Sequence, residues 1–157
     1  MTRLHIPVAL RWADLDAYGH VNNVAVLTLL EEARIAAFWN HPEAIEQAHP
    51  TAILDASPGA DTVTVVGRQE IEYLEPIGHL REPVTVELWL GSLGGASIEV
   101  CYQVTATVAG TRHVFVQAAT TVVMLDAASG RPRRLTDAER AVWEPYVGPA
   151  VTWRRRG

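Results

Sequence analysis

The sequence contains no lysine, and all 13 basic residues among its 157 are arginine. The absence of lysine excludes a lysine Schiff base, a lysine general base and the phosphate-binding lysine of a P-loop. A single cysteine, Cys101, excludes an internal disulfide and a cysteine-based zinc site. No stretch approaches the roughly 20 apolar residues that span a bilayer, and residues 1–7 lack the apolar run of a signal peptide. We therefore expect a cytoplasmic protein that does not interact with membranes.

Acidic residues outnumber basic ones by 18 to 13, so the net charge is −5. Seven arginines but only three acidic residues lie in residues 130–157, which gives this segment a charge of +4 and leaves −9 for residues 1–129. Nucleic-acid-binding domains usually carry a net positive charge, whereas residues 1–129 are acidic, so no nucleic-acid partner is expected. The length is that of one ordinary globular domain. We expect residues 1–157 to form a single domain, with residues 152–157 as a basic tail.

One segment has the properties of a long helix. Residues 22–39 contain no glycine or proline, Asn22 or Asn23 can cap the start, and Asn40 with Pro42 ends the run. The apolar residues of the segment are spread around most of the helix circumference. This distribution predicts a buried helix.

The rest of the chain is dominated by the alternation of apolar and polar residues that is typical of β-strands. One short apolar run precedes the helix and four longer runs follow it; they cover residues 4–12, 63–73, 84–90, 98–108 and 114–125. Gly67 indicates a bulge, and the links at Gly94-Gly95 and Ala109-Gly110 are short enough to require antiparallel neighbours. Residues 43–58 fit either a short helix or a loop.

These elements predict an α+β domain in which a curved antiparallel five-stranded sheet wraps around one long buried helix. One helix cannot cover both faces of five long strands, so apolar surface or an edge strand stays exposed. We therefore expect a homodimer.

The densest polar cluster of the chain lies directly before the helix: Asp14, Asp16, His20, Asn22 and Asn23 fall within ten residues. Unpaired N–H groups at a helix start can polarise a carbonyl, and a nearby carboxylate can act on that carbonyl as general base or nucleophile. The same residue types are also common as caps and turn formers, and we favour a bracing role of this kind for Asp14. Two aspartates and one histidine in a short loop are a weak metal signal, so no metal is expected.

Residues 11–23, Arg-Trp-Ala-Asp-Leu-Asp-Ala-Tyr-Gly-His-Val-Asn-Asn, run into a Leu-Glu-Glu-Ala-Arg segment at residues 30–34. Together they resemble the signature of hotdog-fold acyl-CoA thioesterases of the 4-hydroxybenzoyl-CoA thioesterase type. The resemblance covers about residues 4–135. It implies a hotdog fold, hydrolysis of an acyl thioester with coenzyme A as part of the substrate and no cofactor, and a homodimer, often paired into a tetramer, with its active site at the subunit interface.

Carried over position by position, the resemblance makes Asp16 the catalytic carboxylate and the backbone N–H of Asn23 the donor to the thioester carbonyl. His20 and Glu32 are further catalytic candidates, Glu32 because some hotdog enzymes use a helix glutamate. For Glu31 and Glu32 we favour a structural or interfacial salt bridge, with Arg34 or a group of the second subunit as the partner. The expected substrate contacts are Tyr18, Gly19, Asn22, Gly95, Ser97, Arg131 and Arg133.

The turn before Ser97 departs from the family pattern. Relatives often carry a basic residue just before this serine, whereas Gly94-Gly95-Ala96 stands here. Phosphate contacts must then come from elsewhere, or the substrate is not a CoA ester. The available cations are Arg112, Arg131, Arg133 and Arg134. Each of these arginines is otherwise a solvated surface charge.

Other readings are less well supported by the residues. The spacing of Asp16 and His20 differs from the hydratase pattern of this fold, His49 lacks the spacing of a dehydratase, and no G-x-S-x-G segment is present. The remaining alternative is a non-catalytic module that binds acyl thioesters, or a sensor subunit. Four aromatic residues fit an acyl pocket or ordinary core packing equally well, namely Trp12, Tyr18, Trp39 and Trp89.

Overall fold

The computed structural model describes residues 2–40, 43 and 49–154. Five strands form one antiparallel sheet, namely β1 (Leu4–Val8), β4 (Thr62–Tyr73), β5 (Val84–Leu93), β6 (Ser97–Val108) and β7 (Thr111–Asp126). Their order in the sheet is β1-β5-β6-β7-β4. Two short strands, β2 (Trp39–Asn40) and β3 (Leu54–Asp55), form a separate parallel pair. The predicted α+β class and the five-stranded antiparallel sheet are confirmed.

The long helix α1 (Asn23–Phe38) packs one side against the sheet. Asn22 is its cap, because the Oδ1 atom of Asn22 accepts a hydrogen bond of 2.8 Å from the Val24 N–H. The expected buried helix is confirmed for the side that faces the sheet, where seven of the sixteen residues are buried, but part of the opposite side stays exposed in the single chain. Val24 and Ile35 are 65% and 47% exposed, because a sheet covers only one side of a helix and the remaining apolar residues need another cover.

The turns follow the predicted turn residues. The register between β4 and β7 shifts at Gly67, as expected of a bulge. Ala109 and Gly110 connect β6 to β7 with φ angles of 50° and 80°, the two positive values that a tight hairpin turn requires. The first strand is shorter than predicted: β1 ends at Val8, and residues 12–14 form a 3-10 turn instead. In the undecided segment 43–58, the described part contains only the two-residue strand β3.

A second helix, α2 (Asp137–Trp143), was not predicted. Thr136 caps it by accepting a hydrogen bond of 3.1 Å from the Glu139 N–H. Trp143 is fully buried at its end, where the indole N–H donates to the Thr51 carbonyl at 3.0 Å. The Thr-x-x-Glu spacing of residues 136–139 is a capping-box signal that could have identified this helix.

Residues 147–154 cross the outer face of the sheet, opposite α1. The Gly148 N–H donates to the Leu90 carbonyl at 2.8 Å, and the Trp89 indole N–H donates to the Pro149 carbonyl at 2.8 Å. Trp89 is only 3% exposed as a result. The segment therefore gives the outer face a cover of its own.

The structure differs from the expectation of a basic tail over residues 152–157. The Thr152 carbonyl accepts a hydrogen bond of 3.0 Å from Gln117. The Arg154 N–H donates to Glu72 at 3.0 Å. Residues 152–154 are thus bonded to the sheet, and residues 155–157 lie outside the described part of the chain.

The register gives the sheet two distinct ends. Val8, Val84, Val116 and Tyr73 lie at one end, which we call the loop end because the segment between β1 and α1 leaves from it. The opposite end carries the turn between β5 and β6 and the start of β4, and we call it the turn end.

The outer face also carries a buried ion-pair cluster at Glu87. Its carboxylate accepts hydrogen bonds from Arg3 at 2.9 Å and from Arg112 at 2.7 Å, and its side chain is 10% exposed. Burial by itself would raise the pKa of Glu87, but the hydrogen bonds from Arg112 and Arg3 outweigh burial and lower that pKa.

We expect Glu87→Gln to lower the free energy of unfolding at neutral pH by about 1.5–3 kcal/mol. Because the pKa of Glu87 is lower in the folded than in the unfolded chain, its contribution is complete above the unfolded value of about 4.3 and is lost as the pH falls through the folded value. Urea unfolding should be measured at neutral pH and at about pH 3.5. Between these two values the free energy of unfolding should fall more for the wild type than for Glu87→Gln. Glu70→Gln is the control, since the Arg68–Glu70 pair is exposed. Parallel pH dependence in wild type and Glu87→Gln would contradict this account.

Candidate active site

The segment between β1 and α1 is braced by Asp14. This side chain is buried, and its Oδ2 and Oδ1 atoms accept hydrogen bonds of 2.8 Å from the backbone N–H and the Nη2 of Arg11. The side-chain hydrogen bonds from Arg11 lower the pKa of Asp14. The Asp14 carbonyl accepts a further bond of 2.7 Å from the Asn22 N–H. Asp14 therefore links the start of the segment to the helix cap, the bracing role expected from the sequence.

Asp16 lies in a tight turn. Its Oδ1 atom accepts hydrogen bonds from the N–H groups of Tyr18 at 2.8 Å and His20 at 3.2 Å. Gly19 has a φ of 75°, a conformation that favours glycine at this position. Within the described residues, the second carboxylate oxygen of Asp16 accepts no hydrogen bond from the protein. The turn thus holds the carboxylate by one oxygen and leaves the other available.

His20 docks the turn through its backbone. It forms an antiparallel bridge with Gly78, and the adjacent Val21 N–H donates to the Ile77 carbonyl at 2.7 Å. The imidazole is exposed, and no hydrogen bond joins it to the part of the protein that the structure describes. The geometry places His20 beside Asp16 and gives its side chain no fixed partner.

The first turn of α1 contains the Asn23 N–H, which the resemblance predicts to be the donor to the thioester carbonyl. The Asn22 carbonyl accepts a hydrogen bond from the Val26 N–H at 3.1 Å, and the Val24 N–H is bonded to the Asn22 side chain. The Asn23 N–H has no acceptor among residues 2–40, 43 and 49–154. An antiparallel bridge between Leu15 and Val21 folds the segment back, so Asp16 and the helix start belong to one compact turn.

Sequence reasoning missed Tyr73, the last residue of β4. Its hydroxyl donates a hydrogen bond of 2.9 Å to the Asn23 carbonyl. Its ring is part of the wall of a cavity of about 240 Å³ whose other walls are mainly apolar, including Val21, Val26 and Ile77. Period-two alternation predicted a strand residue at Tyr73, but no signal in the sequence joins it to a helix 50 positions away.

The four aromatic candidates separate into two groups. Trp12 and Tyr18 lie in the Asp16 segment and are 76% and 86% exposed. The Trp12 ring stacks on His79 with centroids 4.0 Å apart and planes inclined by 7°. Trp39 follows the far end of α1, and Trp89 lies under the C-terminal segment. Only the first two are near the turn of Asp16.

The predicted substrate contacts beyond α1 lie at the turn end, away from Asp16. The Ser97 carbonyl closes its turn by accepting from the Gly94 N–H at 2.7 Å, and the Gly95 carbonyl accepts from the Leu135 N–H at 2.9 Å. A single chain therefore does not bring Gly95 and Ser97 together with the carboxylate.

Arg131 and Arg133 lie at the same end but differ in their environment. Arg131 is exposed. Arg133 donates to Glu139 at 2.7 Å and to the Thr62 hydroxyl at 2.8 Å, with 22% of its side chain exposed. Arg133 is an intramolecular brace between β4 and α2 and not the solvated charge expected from the sequence.

Glu32 lies away from Tyr73, in a separate cavity of about 380 Å³ between β1 and α1 that Arg11 also lines. Glu31 and Glu32 are both exposed. Arg34, considered as their partner, donates instead to the Tyr102 hydroxyl at 3.1 Å.

No group of three or more His, Cys, Asp or Glu side chains within the described ranges is arranged to hold a metal ion. None of the described helices is long and apolar enough to cross a membrane.

Comparison with known proteins gives the class of this fold and site. Residues 10–143 match the sequence profile of the thioesterase-like superfamily. The chain belongs to this superfamily of hotdog-fold enzymes, which hydrolyse thioesters. A search of curated proteins gives no significant match.

Solved structures agree with this classification. A thioesterase from Thermus thermophilus, complexed with coenzyme A and zinc, is 30% identical with a TM-score of 0.66, over 90% of this chain and 92% of the other. A thioesterase candidate from Pseudomonas aeruginosa is 31% identical with a TM-score of 0.62, over 88% and 95% of the two chains. The thioesterase candidate YbaW from Escherichia coli is 26% identical with a TM-score of 0.64, over 94% and 100%.

Proposed function

We propose that the protein hydrolyses acyl-CoA or related acyl thioesters, with Asp16 as the catalytic carboxylate and the Asn23 N–H as the donor to the thioester carbonyl. The observation that carries this proposal is the pairing, in one compact turn, of a carboxylate with one unbonded oxygen and a helix N–H without an acceptor in the described structure. The related Thermus thermophilus structure contains coenzyme A, which supports a CoA ester as the substrate class.

Two routes use the same groups. In the first, Asp16 removes a proton from water and the water oxygen attacks the carbonyl carbon. The C–S bond then breaks to release the acid, and the departing thiolate takes the proton from Asp16 to become the thiol. In the second, Asp16 attacks the carbonyl carbon, the thiolate leaves and takes up a proton, and water hydrolyses the mixed anhydride. Both develop negative charge on the carbonyl oxygen. One preorganised donor such as the Asn23 N–H contributes about 3–4 kcal/mol to stabilising that charge in known hydrolases.

We propose the small cavity beside the helix start as the site of the acyl group. It adjoins Tyr73, Val21 and Val26, so an acyl chain there would place its carbonyl near the first turn of α1. Its volume of about 240 Å³ lies below the roughly 300–1,000 Å³ of pockets for drug-sized ligands. A short acyl chain therefore fits this cavity better than a long one.

We further propose a homodimer formed through β4. This strand is at the edge of the sheet, and Val63, Val65 and Val66 on it are between 45% and 47% exposed. An unpaired edge with exposed valines is a template for pairing with a second copy. Antiparallel pairing of two β4 strands would bring the turn end of one chain, with Ser97 and Arg131, beside the loop end of the other.

The function is tested with a panel of thioesters and free-thiol release as the readout. Acyl-CoA esters of increasing chain length, an aromatic acyl-CoA, the matching N-acetylcysteamine esters and an acyl-carrier-protein ester separate the roles of acyl group and carrier. We expect turnover, with a preference for short acyl groups. Binding without turnover on every member would identify a non-catalytic acyl-thioester module instead.

A further inference from the structure

The edge of the sheet is bonded to the first turn of α1 through one phenol. The Tyr73 hydroxyl donates to the Asn23 carbonyl at 2.9 Å. Tyr73 is itself held in the sheet, since it pairs with Val116 of β7 and the next residue, Leu74, donates its N–H to the Phe115 carbonyl at 2.7 Å. The bond therefore links a fixed strand end to the residue whose N–H is the proposed carbonyl donor.

The backbone on both sides of the Asn23 N–H is held by hydrogen bonds. The preceding carbonyl, of Asn22, accepts from Val26 at 3.1 Å. The following peptide unit is held at both ends, with its carbonyl bonded to Tyr73 and its N–H bonded to the Asn22 side chain at 2.8 Å. Such restraint matters because a donor stabilises a developing oxyanion best when it needs no reorientation during the reaction.

We infer that Tyr73 is a positioning residue for thioester hydrolysis: its hydroxyl holds the first turn of α1 so that the Asn23 N–H stays directed at the substrate carbonyl. The inference rests on the proposed function of this turn. Burial raises the pKa of Tyr73, so the hydroxyl remains protonated, and able to donate, through the neutral range.

The hydroxyl and the ring of Tyr73 can be separated experimentally. Tyr73→Phe removes only the hydrogen bond and keeps the ring in the wall of the 240 Å³ cavity. Tyr73→Ala removes both. We expect Tyr73→Phe to lower kcat by about 10- to 100-fold, because misplacement of a catalytic group by about 1 Å has an effect of this size. Its KM should stay within about threefold of the wild-type value, since the acyl cavity is unchanged.

Tyr73→Ala should show the same fall in kcat together with a rise in KM, because the cavity then loses a wall. Tyr146→Phe is the matched control: this tyrosine lies in the 3-10 turn of residues 144–146, outside the proposed site, and we expect its kcat to equal the wild-type value. Circular dichroism and the unfolding midpoint establish that each variant is folded at the assay temperature.

The outcomes are distinct. A wild-type kcat in folded Tyr73→Phe, or a change confined to KM, overturns the inference. A fall in activity that matches a fall in the folded fraction, with unchanged kcat per folded molecule, overturns it as well. If the wild type hydrolyses no thioester, it is the proposed function that is wrong, and this result differs from every outcome that concerns Tyr73 alone.

Discussion

Asp16→Asn should abolish thioester hydrolysis and leave the fold intact. The side-chain carbonyl of asparagine can still accept the hydrogen bonds of Tyr18 and His20 that Oδ1 now accepts, so the turn keeps its shape. The second oxygen becomes an amide, which neither removes a proton from water nor attacks a carbonyl. Loss of a general base costs about 10²–10⁴-fold in rate, and loss of a nucleophile costs at least as much. Thiol release under saturating substrate measures the effect.

Asp55→Asn is the matched control for this substitution. The Oδ1 atom of Asp55 accepts a hydrogen bond of 2.8 Å from the Ser57 N–H two residues on, the same type of turn as at Asp16. Asp55 lies in β3, outside the Asp16 turn, so its variant should retain wild-type activity. Near-normal hydrolysis by Asp16→Asn would show that Asp16 only shapes its turn, and the catalytic assignment would fail.

Removal of residues 149–157 should expose Cys101 to thiol reagents. In the intact chain Cys101 is fully buried, and burial together with the nearby charge of Glu99 raises its pKa to about 12. Residues 149–154 form the cover: the Pro149 carbonyl accepts the Trp89 indole N–H, and the Thr152 carbonyl accepts a hydrogen bond from Gln117. If exposure restores a pKa near the ordinary value of about 8.5, the thiolate fraction at about pH 8 rises on the order of 10³-fold.

The measurement is the rate of Cys101 modification in native buffer. A chain that ends at Arg154 is the control, because it keeps every described contact of the segment, and its Cys101 should stay protected. If the shorter chain does not fold, Trp89→Phe offers a milder test: it deletes the indole N–H bond to Pro149 and should raise the rate by a smaller factor. Protection of Cys101 in a folded chain that ends at Gly148 would mean that the segment does not cover the outer face.

Predictions from the sequence hold where they depend on interactions between near neighbours. Asn22 caps α1 through a bond to Val24 two residues away. The bulge at Gly67 and the hairpin at Ala109-Gly110 follow from backbone conformations that few residues adopt. Helix α2 was missed although it could have been predicted in the same way, because Thr136 and Glu139 form a local capping signal.

Predictions fail or stay untested where they depend on distant parts of the chain. Periodicity does not tell which side of α1 stays open, so the exposure of Val24 and Ile35 was not expected. Arg133 forms an intramolecular salt bridge with Glu139, and this pairing depends on how α2 packs. The roles of Asp16, Asn23, His20 and Glu32 in catalysis remain predictions, and Asp16→Asn tests the first of them.

The sequence by itself determined the class of fold, the extent of the long helix within a residue or two and the turn that carries Asp16, because hydrophobic period, capping and turn chemistry act over a few residues. Because the chain has no lysine, a carbonyl could be polarised only by backbone donors, arginine or a metal. Only the tertiary structure decided which groups meet: strand register brings Tyr73 to Asn23, places Ser97 and Arg131 at the opposite end from Asp16, and lets the last residues cover Trp89. These contacts join positions tens of residues apart, and local pattern carries no information about them.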